Sequence, residues 1–327
     1  MFGSQGQYAG WLVAVVLIAA AVLVLRLALA PPPGRAILLS LPYSHFVELA
    51  RWSLTASGTP FVEYRFPVGP HTPLVALFRL TFAGGLSSTS TYPGDGNPVS
   101  QESSRTFLGR LLQAIPAPLR RMGGLPALVV TPEGTGSFTF IVPDSFSILR
   151  HSGFQLHPDY EKRMDCVLGP AVRRFVYRQI FTSHRQFYRD IQSCGTVLMW
   201  LHVLIEESMN VTGIMMSMMN MSPEGDAAAM DMIEQEFHHA GTILSKFPFL
   251  GDGTGGDRFG GGDIAFCSLS GWVVLPKHFT GGAIDKKLLS FSNFQHIVPY
   301  VAFQRKLLMT HGVAWNHVKK CYSERRL

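Results

Sequence analysis

The sequence predicts a small α/β domain followed by an all-helical domain, with one membrane-spanning helix ahead of both. Three observations carry that reading. Residues 8–25 are an uncharged apolar run, strand and helix patterns alternate from Ala36 onward, and strand patterns cease after about His157. The boundaries fall at 8–30 for the anchor, 36–152 for the α/β domain and 157–327 for the helical domain. A chain of 327 residues is long enough to bury a core in each of two domains.

The run YAGWLVAVVLIAAAVLVL is long enough to cross a bilayer, with Tyr8 and Trp11 suited to the headgroup level. A cleaved signal peptide is the competing reading, because Ala28-Leu29-Ala30 resembles a cleavage site. The leader MFGSQGQ has no basic residue, however, and Pro31 follows the small residues directly. An uncleaved anchor is therefore expected. Arg26 and Arg35 lie on its carboxyl side, which places the globular part in the cytosol. Pro31-Pro32-Pro33-Gly34 is a short stiff spacer.

The next stretch, AILLSLPYSHFVELARWSL, organises the rest. Residues 36–41 are a short apolar run of strand length, broken at Pro42 and Tyr43. Ser44 stands where a helix should begin. From there Phe46, Val47, Ala50 and Leu54 recur at helical spacing, with Glu48, Arg51 and Thr55 expected on the polar side. A helix start carries unpaired N–H groups and about half a positive charge, so it favours an anion such as a thiolate. As a plain N-cap, Ser44 would look the same.

Gly58-Thr59-Pro60 is a turn, and residues 61–66 form a second strand parallel to the first. Residues 83–124 change character. The part from 84 to 104 is rich in Gly, Ser, Thr and Pro and reads as a surface loop, with a short basic helix after it. Residues 125–130 are a third strand with Pro126 at its start, where a missing N–H is tolerated. Residues 132–136 turn the chain into an antiparallel strand over 138–142. Asp144 and Ser145 then open another helix, again at an anion-favouring end. Helices are expected over 160–187, 191–207, 226–247, 262–275 and 294–322.

These landmarks, in this order, resemble the glutathione transferase superfamily. P-Y-S-H-F-V-E-L-A-R-W is similar to the first helix of serine- and cysteine-type members of a bacterial-like branch. The resemblance implies a thioredoxin-like domain and an all-helical domain, glutathione as co-substrate, and a small electrophile as its partner. It implies that Ser44 activates the glutathione sulfur. It also places glutathione against His45, Phe46, Leu125, Pro126, Asp144 and Ser145, with Pro126 as the family's cis-proline. The 83–124 stretch is then an insertion. Before the central buried helix, Gly260 replaces the usual capping Ser or Thr while Asp263 remains, and that helix is expected to start more loosely. Family members often dimerise, which leaves a homodimer open. A second reading is an inactive transferase-like interaction module at a membrane surface.

Other classes are disfavoured. The net charge of +6 is mild and not gathered into a stripe, which argues against nucleic acid. Cys166, Cys194, Cys267 and Cys321 show no CxxC or ligand spacing and read as reduced, buried thiols, so no metal is expected. No Cys stands near Ser44, so glutaredoxin-type exchange is unsupported. The sequons at Asn210 and Asn220 should be unused in the cytosol. The methionines of 215–221 read as filling irregular apolar space, and His238-His239 are wrongly spaced to share a metal.

Overall fold

The computed structural model describes residues 36–41, 43–65, 126–130, 140–142, 144–183, 216, 221–282 and 297–326. The anchor (8–30), the insertion (83–124), Leu125, the 132–136 turn, the 191–207 helix and most of the methionine cluster lie outside them. Among the described residues no helix is long and apolar enough to cross a membrane.

A four-stranded mixed sheet comes first, in the order β2-β1-β3-β4. Strand β1 (Ala36–Ser40) is buried on both faces, as an unbroken apolar run should be. It pairs in parallel with β2 (Phe61–Arg65), in register from Ala36↔Phe61 to Ser40↔Arg65. On its other side β3 (Ala127–Val130) runs antiparallel, with Leu39 opposite Ala127. Beyond it β4 (Phe140–Val142) is also antiparallel, with Val142 opposite Leu128.

Helix α1 (His45–Ala56) joins β1 to β2 and is apolar on two sides. Val47, Ala50 and Leu54 pack on the sheet with Leu38, Leu128 and Val142, together with Ile148 of α2 (Ser145–His151). Leu49 and Trp52 point the other way, into the helical core. Each such burial is worth roughly 1.5–3 kcal/mol. A helix clamped on two faces has little polar side left. Thr55 is exposed as expected, but Glu48 and Arg51 are buried.

Their charges are matched by residues from elsewhere. Arg51 donates to Glu48 at 2.7 Å and to Glu63 of β2 at 2.6 Å. Ser40 of β1 donates to Glu63 at 2.6 Å, and Arg326 donates to Glu48 at 3.0 Å. Burial alone would depress Arg51, but the two carboxylates outweigh it and raise its pKa. Glu63 is held below its ordinary value because Arg51 overcomes the opposing effect of burial.

The remainder of the described chain is helical. Helix α3 (Pro158–Arg163), a π turn (Met164–Leu168) and α4 (Gly169–Ser183) are continuous. Helix α5 is Pro223–Leu244, and α6 (Gly261–Val274) is buried over its whole length. The helix expected over 294–322 is two helices, α7 (Val298–Thr310) and α8 (Gly312–Glu324). The break is at His311, whose ψ of 39° leaves the helical region just before Gly312.

The start of α6 is tight, not loose. Asp263 accepts N–H groups from Leu250 at 2.8 Å, Gly251 at 3.0 Å and Gly260 at 2.9 Å. One carboxylate thus holds the N-cap N–H and the preceding loop, and that loop in turn caps the helix, the Gly262 N–H donating to the Gly251 carbonyl at 2.7 Å.

Candidate functional site

Strand directions bring three chain segments to one end of the sheet. β1 ends there and leads into Ser44. β3 begins there, after Pro126, and β4 ends there, leading to Asp144. Extending the β1–β3 ladder by a single step sets Ser40 opposite Pro126, and Asp144 follows the end of β4, whose Val142 pairs with Leu128 of β3. Pro126 is buried, whereas Leu125 lies outside the described residues.

Ser44 is fixed by its turn. Its N–H donates to the Leu41 carbonyl at 3.1 Å, and Trp272 of α6 donates to the Tyr43 carbonyl at 2.6 Å. The Ser44 hydroxyl accepts the Val47 N–H at 3.4 Å, a long cap bond. At 8% exposure Ser44 sits at the edge of the interior. By helix geometry the N–H groups of His45 and Phe46 have no partner within α1.

The side chains of those two residues do something else. The His45 ring is fully buried, and its Nε2 lies 3.0 Å from the Gly169 carbonyl. That pairing makes Nε2 the protonated nitrogen of a neutral ring. Burial, and then the charge of Arg173, push the His45 pKa down to about 3. Phe46 lies against Gly169, where a Cβ would come within 2.4 Å of its ring. Only glycine allows that approach. It follows directly on the π turn, and π turns recur at functional positions. The Phe46 side chain is apolar, and the His45 ring is enclosed with its Nδ1 unpaired. Their main-chain N–H groups stand at the open start of α1.

Two residues of α4 complete the surroundings of Ser44, and sequence reasoning missed both. The Tyr177 phenol is close enough to the Ser44 side chain to be influenced by it, and burial raises the Tyr177 pKa despite Arg173 and Ser44. The phenol therefore remains neutral. Arg173 lies over the Phe46 ring, 5.8 Å from its centroid. Arg173 and Tyr177 are four residues apart and share one helix face, a signal visible in the sequence once the helix is known. The α1 start favours an anion at this end of the sheet.

Asp144 caps α2, accepting the Ser147 N–H at 2.8 Å and the Ser147 hydroxyl at 2.7 Å. Its two oxygens are thus engaged, each with a lone pair to spare. Ser145 beside it is buried.

The chain matches no protein-family model and no curated protein. It is similar in overall arrangement to several solved structures. One is a glutathione transferase of Phanerochaete chrysosporium with oxidized glutathione (12% identity, 91% of this chain and 97% of that one, TM-score 0.40). Another is a glutathione transferase family member of Pseudomonas fluorescens with two glutathione bound (12% identity, 90% and 97%, TM-score 0.42). A third is a glutathione S-transferase of Methylobacterium radiotolerans in complex with glutathione sulfonate (17% identity, 87% and 94%, TM-score 0.36). Likeness at this level assigns no residue a role.

Proposed function

We propose that the chain is a glutathione transferase of the serine type, anchored by residues 8–30 with its globular part in the cytosol. In this reading residues 36–152 are a thioredoxin-like glutathione-binding domain and residues 157–327 a helical domain that holds the electrophile. The observation that carries it is the convergence of Ser44, Pro126 and Asp144 at one end of the sheet.

The sulfur of glutathione would lie at the start of α1, facing the Ser44 hydroxyl and the N–H groups of His45 and Phe46. A free thiol has a pKa near 8.5, so little of it is thiolate at neutral pH. One hydrogen bond to the charged sulfur contributes about 1.5–3 kcal/mol, which lowers that pKa by about one to two units. The backbone of Leu125, ahead of Pro126, would pair with the cysteinyl part. The γ-glutamyl end would sit against Asp144, Ser145 and the open N–H groups of α2.

The test uses the full chain in detergent, assayed for retention on immobilised glutathione and for conjugation of a generic electrophile. Ser44→Ala should lower turnover more than about tenfold near neutral pH, with little change in ground-state affinity. Equal rates across pH would remove Ser44 from the chemistry. Absence of both binding and turnover in wild type would favour the interaction module. The anchor is tested separately: on sealed, cytosol-side-out microsomes, a tag after Leu327 should be digested by added protease and Asn210 should carry no glycan.

A further inference from the structure

The two helices that build the helical core each contribute a pair of chemically active side chains four residues apart. On α6 these are Asp263 and Cys267, and on α8 they are His317 and Cys321. Such a spacing sets both members of a pair on one helix face. The two faces meet. His317 Nε2 lies 2.8 Å from Asp263 Oδ1 and 3.3 Å from Cys321 Sγ, and the Cys267 and Cys321 sulfurs lie within 4.8 Å of each other. One donor atom each from Cys267, His317 and Cys321 falls within a sphere where every pair is less than 4.8 Å apart. All four residues are buried.

We propose that Cys267, His317 and Cys321 bind a zinc ion, with Asp263 as the fourth ligand, as a closed structural centre joining α6 to α8. With bonds of about 2.0–2.3 Å, the donors of a tetrahedral zinc lie roughly 3.3–3.8 Å apart, so the atoms of Cys267, His317 and Cys321 need only small shifts, while the Asp263 oxygen, outside that group though 2.8 Å from His317, must move further to close the fourth position. Two sulfurs and an imidazole are the soft, borderline set that selects zinc over magnesium or calcium. Asp263 is already held in place by the N–H groups of Leu250, Gly251 and Gly260, which orients its oxygen as second-shell bonds orient metal ligands elsewhere. The thiol protons of Cys267 and Cys321 and the Nε2 proton of His317 leave as the ion enters, and the His317–Asp263 hydrogen bond is replaced by a bond from each residue to the ion. The site is closed to solvent, so zinc enters during folding or when α8 opens locally.

The cysteine spacing alone pointed away from a metal, because the second ligand pair includes a histidine and the two pairs are far apart in sequence. The centre would act at a distance as well. Arg326, just after α8, donates to Glu48 one turn beyond Ser44, so an ion that fixes α8 also fixes that contact.

The experiment uses the full chain, reduced and purified without chelator. Wild type should retain about one equivalent of zinc through gel filtration, and cobalt(II) exchanged into it should give sulfur-to-cobalt charge transfer and the intense visible bands of a tetrahedral site. Both signals should persist in Cys166→Ala/Cys194→Ala, where Cys267 and Cys321 are the remaining thiols. Both should disappear in Cys267→Ala and in Cys321→Ala. If those variants fail to fold, the cobalt spectrum of the Cys166→Ala/Cys194→Ala chain decides alone, since it reports sulfur ligation without touching the site. A metal-free wild type whose thermal midpoint does not move with added zinc would overturn the proposal. So would an octahedral cobalt spectrum, loss of the signals in Cys166→Ala/Cys194→Ala, or zinc retained in Cys267→Ala/Cys321→Ala.

Discussion

Helices α1 and α6 lie side by side, yet they begin in opposite ways. The α6 start is over-determined, since one carboxylate collects N–H groups from Leu250, Gly251 and Gly260 and also faces His317. The α1 start is under-determined, since one hydroxyl reaches one N–H at 3.4 Å. Both ends carry the same partial charge and the same unpaired donors before capping. The difference lies in what is left over. A helix start whose donors are consumed internally is architecture, and one whose donors remain unspent can take a ligand.

The largest test of that contrast is Asp263→Ala. It strands the buried Leu250 N–H, two half-buried N–H groups and the His317 ring, so it should cost about 3–5 kcal/mol, a large part of an ordinary domain's stability. The urea midpoint of the full chain measures it. A loss below about 1 kcal/mol would mean that the α6 start is no better secured than that of α1.

Next in size is the acid response of His45, which stands at the α1 start and is neutral in the folded state. Its pKa is 6.5 when exposed and falls to about 3 when folded. Between those values the unfolded chain binds the extra proton. The stability it contributes is therefore complete above about pH 6.5 and is lost as pH falls toward 3, at up to about 1.4 kcal/mol per pH unit. His45→Leu should flatten the wild-type stability profile by that slope. Parallel profiles would show that His45 is not the titrating group.

Gly260→Ser sharpens the comparison from the other side. Cap preferences alone favour a small gain. A Cβ at Gly260, however, would stand 2.4 Å from the Gly251 carbonyl oxygen, in the loop that Asp263 draws against the helix. The substitution should cost about 1–3 kcal/mol, and stabilisation would show that the loop can retreat. The smallest expected effect is the folding cost of Ser44→Ala. With so long a cap bond it should be about 1 kcal/mol or less by thermal denaturation. A cost as large as that at Asp263 would make Ser44 a structural cap first.

What the sequence disclosed follows from range. Strand β1, the hydroxyl before α1, the Pro126 strand start and the Asp144 cap are local patterns, and the expected positions hold wherever those residues are described. Glu48 and Arg51 were placed on a polar face because periodicity sees one helix at a time. Their partners lie on β2 and beyond α8, where no window of helical length reaches. Tyr177 and Arg173 escaped notice for the same reason, since nothing in their own helix marks the face that meets Ser44. His311 ends one helix and Gly312 begins the next, a break that apolar spacing alone ran straight through. At Gly260 the local rule was applied correctly and still misled, because the compensation comes from a carboxylate that caps more than its own helix.

The pair between Glu48 and Arg326 spans 278 positions of sequence, and that separation bears on how the molecule is made. A ribosome adds roughly 5–20 residues per second, so about 15–55 seconds pass between synthesis of the carboxylate and synthesis of its guanidinium partner. Throughout that interval α1 can contact β1, β2 and Arg51, but a side chain that ends fully enclosed still has an oxygen facing water. The α/β unit on a nascent chain is thus a provisional structure, open along the face that α6 and α8 will later cover. Its final closure waits for the helical part to arrive, and until then the surface around Trp52 and Leu49 is the one that a chaperone would find.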